Sequence, residues 1–207
     1  NTSPYNMTHL ILPEARDGMS PYESAAQYFN AWMADGILKQ DAEDSYYLLE
    51  QVFQGLDGSA HRSRAFFAAV RIPEPEEEGV ILGHERTFPE KVKDRLSLTR
   101  AAKANLGAVF CLYDDPAHAL DTFLSQTQNR RPDIVADTAD GVTQRLWCVP
   151  ADPAVAAFFE GRTLYIADGH HRYRTAVTYR DEIRQTDPDA KGEHDYVLMG
   201  LVDMADP

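Results

Sequence analysis

Cysteine is scarce in this chain. Only Cys111 and Cys148 occur in 207 residues, 37 positions apart and in no Cys-x-x-Cys pair. That excludes a disulfide-dense scaffold, a zinc ribbon and a dithiol redox motif. Both lie in apolar, strand-like runs, so they read as buried free thiols, which suits a reducing cytoplasm. Long apolar runs are also missing, and none approaches the roughly 20 residues of a membrane span. Basic residues are outnumbered, 20 Lys and Arg against 33 Asp and Glu, giving a formal charge of −13. A protein that wraps nucleic acid needs a basic face, so nucleic acid is not the expected partner. There is no phosphate-cradling Gly-x-x-x-x-Gly-Lys loop and no dinucleotide fingerprint. Gly-x-Ser-x-Gly is absent as well, which leaves serine hydrolase chemistry without a visible nucleophile.

What remains is ordinary globular material, 43% hydrophobic and 26% charged, with room for a sizeable core. Residues 7–12 suggest a short strand. Ser20-Pro21-Tyr22-Glu23 is a capping box with proline at the first helical position, opening a helix to Ala34 that Gly36 closes. Residues 46–53 and 64–72 read as two strands joined by a loop containing Gly55 and Gly58. An acidic loop over 73–79 follows, then a short strand at 80–82. Thr87 and Glu90 have the spacing of a second capping box, for a helix over 89–103. A strand over 108–113, a helix capped by Asp115-Pro116 and a hairpin around Asp140-Gly141 come next. Asp152-Pro153 opens another short helix, and 196–202 is a last strand. The order predicts an α+β fold: a mixed sheet with antiparallel hairpins and flanking helices. We expect a single domain over 1–207, with 1–80 as an N-terminal lobe if the domain is subdivided.

The sharpest local pattern is Leu164-Tyr165-Ile166-Ala167-Asp168-Gly169-His170-His171-Arg172. Four apolar residues run into a turn and a helix start, with Asp168 as the expected N-cap. Gly169, His170, His171 and Arg172 would then surround the positive end of a helix dipole, a suitable place for a phosphate. His170 and His171 are adjacent, so on a helix they diverge by about 100° and do not readily chelate one metal. Asp168 is the carboxylate for a magnesium ion or a substrate group. A second polar group, His84-Glu85-Arg86-Thr87, follows the strand at 80–82. His84 and Glu85 are not needed for capping and are candidates for acid–base work. Two such groups, each delivered by an apolar strand, are expected to share one cleft.

These motifs also carry a resemblance. Ala167-Asp168-Gly169-His170-His171-Arg172 and Gly83-His84-Glu85-Arg86-Thr87 resemble the signatures of the prokaryotic domain-of-unknown-function family 1015. Ser3-Pro4-Tyr5-Asn6 and the run from Leu106 to Tyr113 agree in order, while Arg86 stands where the family usually has lysine. Members are longer at both ends, so the resemblance implies a piece of a longer chain. More distantly, Gly-His-His-Arg is similar to a motif of the ParB and sulfiredoxin superfamily, which includes ADP-dependent free-serine kinases. That similarity implies a ParB/sulfiredoxin-like core. It also implies a nucleotide site using ADP or ATP with Mg2+, and phosphoryl transfer to a small hydroxyl such as that of serine. In sulfiredoxins a cysteine stands where this chain has His170, so sulfinic acid reduction is not implied. Two rivals stay open. One is a non-catalytic sensor of a nucleotide or anionic metabolite. The other is a metal-dependent phosphoester hydrolase using His84, Glu85, Asp168 and His171.

Overall fold

The structure is a computed structural model that describes residues 3–206. Its helices are α1 (Thr8–Ile11), α2 (Pro21–Ala34), α3 (Pro89–Ala102), α4 (Asp121–Gln128), α5 (Pro153–Phe159) and α6 (His170–Thr186). Its strands are β1 (Ser45–Gln54), β2 (Ala60–Arg71), β3 (Ile81–Leu82), β4 (Val109–Tyr113), β5 (Ile134–Asp137), β6 (Thr143–Pro150), β7 (Leu164–Asp168) and β8 (Tyr196–Asp203). The chain divides into two compact units that interleave along the sequence. One comprises Asn1–Asp41, Glu85–Val109 and Gly169–Val197, the other Ala42–His84, Phe110–Asp168 and Leu198–Pro207. No boundary is marked by a linker composition, and two of them, after His84 and after Asp168, cut through the polar motifs.

The first unit is helical. The capping box forms as expected: Ser20 accepts from the Glu23 N–H, and Glu23 accepts from the Ser20 N–H at 2.8 Å. The Ser20 hydroxyl, which donates to the same carboxylate at 2.7 Å, and the Ser20 N–H hold Glu23 below its ordinary pKa. Ala25 and Trp32 are buried on the inner face of α2. The expected strand at residues 7–12 is instead the single turn α1. The Asn6 side chain accepts from the Thr8 N–H at 3.0 Å, which starts the turn locally. The turn then fully buries Leu10 and stacks His9 on Tyr28 at 4.8 Å.

Helix α3 packs against α2 and α6. Its alternating charges suggest a solvated face, yet several are engaged. Asp94 accepts from the Tyr22 hydroxyl at 2.8 Å, and Arg95 donates to the Ile11 carbonyl at 2.8 Å. Arg100 grips Glu182 of α6 through Nε, at 2.9 Å, and Nη2.

The second unit carries the sheet, in the order β3-β7-β4-β8-β2-β1-β6-β5. Strands β1 and β2, β1 and β6, β5 and β6, and β4 and β7 are antiparallel; β3 and β7 are parallel. This is the mixed α+β architecture expected. Leu48, Phe66, Trp147, Cys111, Ile166 and Met199 form its buried interior. Cys111 is fully buried, and desolvation pushes its thiol up to about 12; Cys148 is only half-buried. The helix expected straight after Asp115-Pro116 begins later, at Asp121. Asp115 still serves its start: Oδ2 accepts from the Leu120 N–H at 3.0 Å. The acidic loop is pinned rather than merely solvated. Glu77 accepts a two-pronged contact from Arg71 at 2.7 and 2.6 Å, which lowers its carboxyl to about 2.

Candidate functional site

Strand β7 runs through Asp168, and the chain enters α6 at His170. The junction is a strand-to-helix turn, but its cap differs from expectation. Asp168 is the last strand residue, and Gly169 is the N-cap, at φ 93° and ψ 24°. That left-handed conformation is what a residue lacking Cβ adopts at little cost. The Tyr173 N–H closes the first helical bond onto the Gly169 carbonyl at 3.0 Å. The N–H groups of His170, His171 and Arg172 thus belong to the first turn, which has no intrahelical acceptors.

Arg172 folds back over that turn. Its Nη1 donates to the Ala108 carbonyl. A Cβ placed on Gly169 would lie 3.0 Å from Cζ, Nε and Nη2 of Arg172 alike, so the guanidinium lies flat against the glycine. A Cβ on Gly107 would stand 3.6 Å from the same side chain. Two glycines and a carbonyl therefore seat the guanidinium beside the helix start. This fixes a delocalised positive charge where the dipole is also positive, an arrangement that favours an anion.

Glu85 comes to the same place. Its Oε2 is 3.5 Å from Nδ1 of His170, across 85 positions of sequence. His170 is 5% exposed, whereas the Glu85 side chain is 57% exposed. A buried imidazole is thus faced by a carboxylate open to solvent, a pairing that suits proton transfer. His171 has a different partner: its Nε2 accepts the Phe88 N–H at 3.0 Å. The two rings lie parallel, 9° apart in plane and 5.8 Å between centroids.

That contact corrects the expected second capping box. Thr87 and Glu90 do not cap α3; Phe88 is its N-cap, with no side-chain cap bond, and Pro89 takes the first helical position. Proline holds the residue before it extended, so Phe88, at ψ 125°, must stand outside the helix. His171 then takes its N–H.

Of the expected site residues, Glu85, Gly169, His170, His171 and Arg172 are assembled within the helical unit. His84 and Asp168 are exposed and are the last residues of their segments in the sheet unit. Among the described residues, no group of three or more His, Cys, Asp or Glu is arranged to hold a metal ion. Sequence reasoning passed over Phe88. An aromatic before a proline reads as core, yet it is 58% exposed. The available signal was its place directly after the second polar motif.

A family model described as "Protein of unknown function (DUF1015)" matches residues 1–207. The chain belongs to this family. The match spans both polar motifs, so the Glu85–His170 and Phe88–His171 contacts join two segments of one family unit. No curated protein and no solved structure matches the chain. Among the described residues no helix is long and apolar enough to cross a membrane.

Proposed function

We propose that the start of α6 binds the phosphates of a nucleotide and that the protein transfers a phosphoryl group to a small hydroxylated metabolite. In this reading Gly169, His171 and the first-turn N–H groups receive the phosphates with Arg172 beside them. Glu85, steadied by His170, takes the proton from the acceptor hydroxyl. The acceptor oxygen forms a bond to the terminal phosphorus, the bond from that phosphorus to its bridging oxygen breaks, and the shortened nucleotide leaves. Asp168, one peptide bond ahead of Gly169, and His84, beside Glu85, are the further polar groups. Mg2+, which would neutralise charge on the phosphates, comes from the resemblance to the kinase superfamily. ADP or ATP as donor and a serine-like acceptor come from the resemblance to the kinase superfamily.

The observation that carries the reading is the approach of Glu85 to His170 at the first position of α6. Phosphoryl transfer is mostly positioning and charge stabilisation, and a carboxylate close to the start of α6 supports that reading. The test is titration of phosphate and ADP on wild type, Arg172→Ala, Arg172→Lys and Glu85→Gln, followed by turnover with and without a hydroxyl acceptor. Arg172→Ala should abolish binding and Arg172→Lys should restore part of it, because lysine lacks the planar fork. Glu85→Gln should bind normally and turn over at least 100-fold more slowly, the usual scale of general base catalysis. Unchanged affinity in Arg172→Ala would sink the site. Binding without turnover on any acceptor leaves a sensor, and phosphoester cleavage with no acceptor points to the hydrolase.

A further inference from the structure

We infer that Phe88 is a stacking platform for the planar base of the bound nucleotide. The inference rests on the phosphate reading above and adds the residue that recognises the rest of the ligand. Phe88 is an unusual N-cap: Ser, Thr, Asp and Asn cap by accepting a hydrogen bond, and a phenyl ring accepts none. Its backbone alone meets the structural need, through the N–H donated to His171. The ring nonetheless stands 58% exposed, so burial does not account for it.

The ring is also held in place. Pro89 follows it, the Phe88 N–H is tied to His171, and the His171 ring lies parallel at 5.8 Å, a distance at which two rings overlap only in part. Lys91 places its ammonium 5.5 Å from the ring centroid. An anchored aromatic ring with a flexible cation over it suits a flat heterocycle that carries phosphate, the ammonium swinging to the phosphate as the base takes its place. His171 belongs to the first turn of α6, so Phe88 stands beside the proposed phosphate site. Stacking uses the π-face common to all bases, so the platform favours nucleotides over bare phosphates without selecting one base.

The experiment compares ADP with inorganic pyrophosphate by calorimetry on wild type, Phe88→Ala, Phe88→Leu and Phe88→Trp. All four keep the backbone N–H that anchors α3, and residue 88 is exposed, so the fold should survive; melting curves check this. Removing one base–aromatic stack typically weakens binding roughly 5- to 150-fold. Phe88→Ala and Phe88→Leu should weaken ADP by that factor and leave pyrophosphate unchanged, while Phe88→Trp should keep ADP affinity. Equal weakening of both ligands would overturn the platform and make Phe88 a support for the phosphate site. ADP affinity unchanged in Phe88→Ala, or fully kept in Phe88→Leu, would also overturn it. Failure of wild type to bind either ligand would overturn the phosphate reading itself, and the platform with it.

Discussion

Gly169→Ala tests the geometry at the start of α6 without removing any side chain assigned to the proposed function. Two costs act at once. The first is backbone strain, because residue 169 sits at φ 93° and a Cβ in left-handed space costs roughly 1–2 kcal/mol. The second is steric. The new methyl would lie 3.0 Å from Cζ, Nε and Nη2 of Arg172, so the guanidinium must give by a few tenths of an ångström. That shift loosens its bond to the Ala108 carbonyl. A hydrogen bond from a charged donor contributes about 1.5–3 kcal/mol, and losing part of it adds about 1–2 kcal/mol. The total loss should be about 2–4 kcal/mol by urea unfolding at unchanged m-value. Gly141→Ala is the control. Its φ is 84° at a hairpin turn, but nothing lies within 4 Å of an added Cβ, so only the strain remains, about 1–2 kcal/mol. The excess of Gly169→Ala over Gly141→Ala measures the disturbance of Arg172. It should vanish in an Arg172→Ala background, where the clash has no partner. Equal losses at the two glycines would refute the claim that Gly169 is required by the guanidinium.

Ser20→Ala removes one half of the α2 capping box and should cost about 1 kcal/mol, read as a lower melting temperature. Arg71→Gln should return the Glu77 carboxyl from about 2 toward the ordinary glutamate range in an NMR titration. The folded value lies below the unfolded one, so the stabilisation from this pair is present above the ordinary carboxyl pKa of 4.5. It fades as pH falls through about 2. The thiol of Cys111, raised to about 12 by burial, should resist a thiol reagent at pH 8 that modifies Cys148; both should react in denaturant. Rapid modification of both in the native protein would contradict the burial.

What the sequence disclosed follows the range of the interactions involved. The α2 capping box was readable because its donors and acceptors sit three residues apart, and the antiparallel hairpins because their turns announce themselves at Gly58 and Gly141. Errors arose where a distant group does a local job. Thr87 and Glu90 have the spacing of a cap, but His171 takes the Phe88 N–H from 83 positions away. Asp168 has the chemistry of a cap, yet its partner Phe110 in β4 keeps it in the sheet and passes the cap to Gly169. Residues 7–12 carry strand-like spacing, but α2 offers them an aromatic face that a helical turn fits. The meeting of Glu85 with His170 was expected on grounds of economy. Its geometry, a buried ring against an open carboxylate, depends on packing that no local pattern encodes.

The contacts of the two adjacent histidines also fix where their protons sit. His171 accepts a hydrogen bond at Nε2, so in its neutral form the proton must be on Nδ1, the less common tautomer of free histidine. His170 presents Nδ1 to the Glu85 carboxylate, and a negative charge there favours a proton on that same nitrogen. The neutral rings should therefore share one tautomer for different reasons, one imposed by a backbone donor and the other by a carboxylate. Long-range proton–nitrogen NMR correlations distinguish the tautomers directly. Glu85→Gln should weaken the preference at His170 and leave His171 unchanged. Phe88→Ala should change neither, since the backbone N–H remains. If the proton of His171 is found on Nε2, the Phe88 contact is not made in solution. The anchoring of the aromatic ring, and with it the preorganisation argued for the site, would then have no support.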